Sequence, residues 1–109
     1  MDQKDESPFA SDDETMAYLK QVGSEIFRVE IPFEPDQYTY LVTIDDVAAR
    51  VFADTVRASV DVIRGVPGVS GVVHQDRELI GVLGTAGASE IERALTELWQ
   101  PVLERNGLA

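Results

Sequence analysis

Read as a helix, residues 47–64 separate into a charged side and an apolar side. At about 100° per residue, Arg50, Asp54, Arg57, Asp61 and Arg64 fall within one narrow stripe, and Ala48, Phe52, Val56, Ser59 and Ile63 fall opposite it. The signs alternate at spacings of three and four, so each charge has opposite partners within reach, each pair worth about 0.2–0.5 kcal/mol on an isolated helix. Such a stripe is a solvated side, not a functional patch. Asp45 or Asp46 is placed to cap the start, and Gly65 with Pro67 two positions beyond marks the stop. A helix with one dry face needs a second layer to cover it.

That layer is predicted from the flanking segments. In Ser24–Phe33, Ile26, Val29, Ile31 and Phe33 stand in near-alternation with charges. Glu34-Pro35-Asp36 supplies turn chemistry, and Tyr38–Ile44 is aromatic and β-branched, so a strand pair is expected. Val69–Val73 and Leu79–Leu83 predict a second hairpin with its turn at His74–Glu78. A capping box, Ser89 with Glu92, opens a last helix whose Ile91, Ala94, Leu95, Leu98, Trp99 and Val102 share a face and whose Trp99 is expected to anchor the core. Pro101 should kink or interrupt this helix near Glu97–Gln100 unless the tail restarts there. A first capping box, Ser11 with Glu14, predicts a short helix over 12–22 that Gly23 ends. The order α-β-β-α-β-β-α predicts an α+β domain: an antiparallel sheet of about four strands with two main helices on one face. Residues 1–11 are expected to be an acidic flexible tail and 12–109 a single domain.

Charge narrows the partners. Twenty Asp and Glu against nine Lys and Arg leave −11, a surface that nucleic acid and anionic lipid repel but a basic protein does not. The absence of cysteine removes thiolate metal sites, thiol nucleophiles and disulfides. Met1–Ser7 carries no apolar signal core, and no apolar run approaches the about 18 residues of a membrane span, so a cytoplasmic protein is expected.

Few residues could carry chemistry. His74, Asp76 and Glu78 would share a face if a strand ran through them, as a metal or acid/base set requires, but they also form the best turn of the region. Gly84–Ser89 joins a strand to a helix start without the lysine or glycine spacing of a phosphate loop. Asp45-Asp46 is explained first by capping, and no serine stands in a nucleophile elbow. No cofactor is expected.

The helix ending near Arg64, the Val66-Pro67-Gly68-Val69 connection, the following hairpin and the helix Glu90–Gln100 together resemble the βαββα portion of ferredoxin-like domains. The similarity is greatest to the heavy-metal-associated type and covers residues 38–105. That family binds metal through a CxxC pair after its first strand. Here Thr43-Ile44-Asp45-Asp46-Val47 stands in that place, so the resemblance implies a fold and no metal residue. The family's last strand is missing, and the strand near Ser24–Phe33 is expected to take the vacant edge. The expected function is a non-catalytic protein-interaction or regulatory module whose partner is another protein, basic or a second copy. Arg28, Tyr38 and Tyr40 are its candidate interface residues. The alternative is a small-molecule or effector-binding domain using a groove beside Gly84–Ser89.

Overall fold

The computed structural model describes residues 12–33 and 37–108. The expected acidic tail, Ser11 of the first capping box and the Glu34–Asp36 turn lie outside the described residues. The elements are α1 (Asp12–Val22), β1 (Phe27–Glu30), β2 (Tyr40–Ile44), α2 (Asp46–Val51), α3 (Ala53–Arg64), β3 (Val69–Asp76), β4 (Leu79–Gly84) and α4 (Ala88–Arg105). The strands form one antiparallel sheet in the order β1-β2-β4-β3. β1 thus lies at the edge beside β2, the place expected for the extra strand. The chain is α+β, with α3 and α4 side by side across one face, α3 against β3 and α4 against β1.

Alternation along the strands selects that face. Phe27 and Val29 of β1, Tyr40, Val42 and Ile44 of β2, Ile80 and Val82 of β4, and Val69 and Val72 of β3 turn toward the helices and belong to the core. The sides of α3 divide as its charge stripe requires: Asp54, Arg57, Asp61 and Arg64 are exposed, while Val56, Ser59, Val60 and Ile63 are buried.

Trp99 occupies the centre of the seal. It is 1% exposed, and the Phe52 ring meets it edge-on at 6.0 Å and 82°. Its Nε1–H donates to Ser59 Oγ at 3.0 Å, and the Ser59 hydroxyl donates to the Thr55 carbonyl at 2.8 Å. The one polar group of a buried indole is thereby satisfied within the helix layer.

Several boundaries differ from the sequence-based expectations. The long helix breaks at Phe52 (φ −115°, ψ 50°), although no glycine or proline stands there. The break accompanies the turn of the Phe52 ring onto Trp99, so tertiary packing overrides helix propensity. It also moves Arg50 out of the stripe to pair with Asp46 at 2.9 Å, leaving Arg57 to Asp54 and Arg64 to Asp61. Residues 23–26 form a 3₁₀ turn instead of strand, which buries Ile26 under the layer and delays β1 to Phe27. β3 runs on through His74–Asp76, and the turn narrows to Arg77-Glu78, where Asp76 Oδ1 accepts the Glu78 N–H at 2.9 Å. α4 starts at Ala88, not at the Ser89/Glu92 box, with Glu90 reaching back to the Gly87 N–H at 3.3 Å. It also continues through Pro101 to Arg105, because Trp99, Val102 and Leu103 hold both sides of the proline in the core.

Ser59→Ala would leave the indole N–H buried without an acceptor, a loss of about 1–3 kcal/mol. Urea denaturation followed by Trp99 fluorescence should show that loss, whereas Arg57→Ala, on the solvated stripe, should change stability by less than about 0.5 kcal/mol. Equal midpoints for Ser59→Ala and the parent would refute the buried donor.

Candidate docking face

Among the described residues, no helix lies over the side of the sheet away from α3 and α4. Residues opposite one another in an antiparallel pair share a face, so Thr43 with Leu79, Leu41 with Gly81, Val73 with Gly81 and Gly71 with Leu83 all point to this open side. β4 is therefore apolar on both faces: Ile80 and Val82 inward, Leu79 and Leu83 outward. β1 adds Arg28 and Glu30 opposite Thr43 and Leu41, and these two bond each other at 3.0 Å. Between that pair and Asp76 at the hairpin tip, the open face carries no charged side chain among the described residues, in a protein whose residues are 27% charged.

The chain leaving β1 crosses toward this face. Ile31 is 77% exposed and Phe33 98% exposed. Tyr38 lies flat where a Gly81 side chain would be: a Cβ there would come within 2.5 Å of the ring, so only glycine admits it. Gln75 Nε2 donates to the Tyr38 hydroxyl at 2.6 Å and pins the ring from the other edge of the sheet. Pro32, Phe33, Tyr38, Leu41, Gln75 and Leu79 border a hollow of about 280 Å³.

Of the candidate interface residues, Arg28 and Tyr38 stand on the open face. Tyr40 does not: it pairs with Val82 on the helix side and packs against the core. His74, Asp76 and Glu78 are not brought into one set. His74 is in register with Ile80 and Asp76 with Leu79, so the bulge at Gln75 breaks the alternation that a shared face needs, and Glu78 is in the turn. Among the described residues, no three His, Asp or Glu side chains come together to hold a metal ion.

Asp45 and Asp46 are occupied by structure. Asp45 Oδ2 accepts the Val47 and Ala48 N–H groups at 3.1 and 3.2 Å, and its Oδ1 accepts the Tyr18 hydroxyl at 2.6 Å. That bond, then burial, then the charges of Asp45 and Asp46 raise the Tyr18 pKa, which keeps the hydroxyl a donor. Asp46 pairs with Arg50 and also shares a hydrogen bond with the Glu78 carboxyl. That bond, followed by burial and the charges of Asp46 and Asp76, raises the Glu78 pKa against the opposing pull of Arg77. The Gly84–Ser89 connection is likewise closed down. The Thr85 N–H bonds the Gly68 carbonyl at 2.7 Å, Glu90 takes the Gly87 N–H, and a Cβ on Gly84 would strike the Gly68 oxygen.

No motif marks the residues that make this face, Leu41, Leu79, Leu83 and Gly81. The signal for them is the unbroken apolar run Leu79–Leu83 with a glycine at its middle, which suits a strand apolar on both sides and closely approached on one. Comparison with family models, curated proteins and solved structures finds no match to this chain. Among the described residues, no helix is long and apolar enough to cross a membrane.

Because the folded state raises the Glu78 pKa, it binds that proton more tightly than the unfolded chain does. The corresponding stability is complete below the ordinary Glu value of about 4.3 and is lost as pH rises through the raised one. Glu78→Gln should therefore raise the melting temperature at neutral pH, with the advantage disappearing below about pH 4. A pH-independent difference in calorimetry would contradict the shared proton.

Proposed function

We propose that this chain is a non-catalytic protein-docking module acting through the open face of its sheet, in the cytoplasm. The observation that carries the reading is the uncharged, apolar centre of that face, where Leu41, Leu79 and Leu83 stay half-exposed beside a nearly fully exposed Phe33. Large exposed apolar surfaces are costly to maintain and mark interaction sites. Aromatic residues and arginine, here Phe33, Tyr38 and Arg28, are enriched where proteins meet. Among the described residues, Asp45, Asp46, Asp76 and Ser59 are engaged in capping, pairing, turn and core bonds, which supports a binding role over catalysis. The succession β2, α2–α3, β3, β4, α4 with β1 at the free edge supports a ferredoxin-like arrangement, without the metal chemistry of the heavy-metal-associated type.

A second reading, an effector-binding domain, is favoured by a different feature. A groove of about 530 Å³ runs between α3 and α4, with Val62, Val66 and Ala94 along it and Asp61, Glu90, Arg93 and Glu97 around it. It is open to solvent and ends at Val66-Pro67 and Glu90, next to the Gly84–Ser89 connection. A specific small ligand there would raise the melting temperature by mass action.

A photo-crosslinking amino acid placed at Thr43, within cells that make the protein, should yield protein adducts. The same group at Arg57 on the outer helix surface should not. Adducts of equal yield at both positions, or none at Thr43, would overturn the docking reading.

A further inference from the structure

We infer that the occupant of the open face is a second copy of this chain, related by a two-fold axis, with Phe33 of each copy seated in the hollow beside Tyr38 of the other. This rests on the docking reading above and specifies its partner. A two-fold interface must be self-complementary: the same patch has to offer both the projection and the recess that receives it. Here both are on one face. Phe33 is 98% exposed, and the hollow of about 280 Å³ beside it is floored by Leu41 and Leu79.

Charge selects this surface for like-with-like contact. Two copies carrying −11 each repel wherever carboxylates meet, and the centre of the open face is where they do not. The Arg28–Glu30 pair at its border presents both signs, so a two-fold partner can exchange the same bonds across the interface.

The sheet edges offer less. β1 is four residues long and is followed by Pro32, which has no N–H to pair. β3 is longer but is irregular at Val69/Gly71 and at His74/Asp76, the device by which sheets blunt a free edge. Area gives the exposed arm its role. Four strands about 4.8 Å apart and five residues deep at about 3.4 Å make a face of only about 20 by 17 Å. A standard interface buries about 800 Å² per partner, so the sheet alone falls short and Pro32-Phe33 has to contribute.

Sedimentation of the purified full chain over a wide concentration range should show one chain converting to two. Added salt should tighten the dimer, because it screens the repulsion between the acidic copies. Phe33→Ala removes an exposed ring that the fold does not use. It should raise the dimer dissociation constant about tenfold or more, while Val51→Ala, an exposed apolar position on α2, leaves it unchanged. A strict monomer at the highest attainable concentration, a dimer that salt weakens, or a dimer indifferent to Phe33→Ala would overturn the inference. A monomer that still gives adducts with other proteins from Thr43 removes the self-pairing and keeps the docking face; a monomer with no adducts removes both.

Discussion

Among the described residues, helices seal one face of the sheet and not the other, and the seal is made at Trp99. Its indole fills the space under α3 and α4, takes the Phe52 ring edge-on and binds Ser59 through its only polar atom. These contacts set the angle at which the first part of the helical segment departs at Phe52. They also hold α4 continuous across Pro101, where one backbone hydrogen bond is lost. The helices thus cover a single layer, and β4, apolar on both sides, is left with Leu79 and Leu83 facing away from them.

The polar side chains work to hold the corners of this arrangement. Asp45 ends β2, caps α2 and accepts Tyr18 from α1, so three elements meet on one carboxylate. The Ile44 N–H bonds the Glu78 carbonyl at 2.9 Å and joins the end of β2 to the tip of the β3–β4 hairpin. Gly68 and Gly84 bring the connections before β3 and after β4 into backbone contact that a side chain would block. Among the described residues, the centre of the open sheet face is left without charge.

Much of this is legible in the sequence because periodicity reports burial directly. The charge stripe of α3, the apolar side of α4, the four strands and the anchoring by Trp99 follow from spacing alone. The break at Phe52 is not legible, since the ring that Phe52 meets there, Trp99, is distant in the chain and adjacent only in the fold. His74–Asp76 look like a turn by composition, but β4 carries the ladder past them and the Asp76 side chain makes the turn one step later. Tyr40 is an interface residue by type, whereas its register with Val82 directs it inward. The proposed docking face escapes motif reading because it consists of leucines and a glycine whose meaning depends on which side of a strand they occupy.

The most direct measurement is the accessibility of β4 methyl groups to a soluble paramagnetic agent, read by NMR on dilute protein. Leu79 and Leu83 should broaden at low agent concentration, while Ile80 and Val82, next to them in sequence, stay sharp. Equal protection of all four would mean that the outer side of the sheet is covered by the chain itself, and equal broadening would mean that the helices do not seal the inner one. Either result would contradict a sheet closed on one face and open on the other.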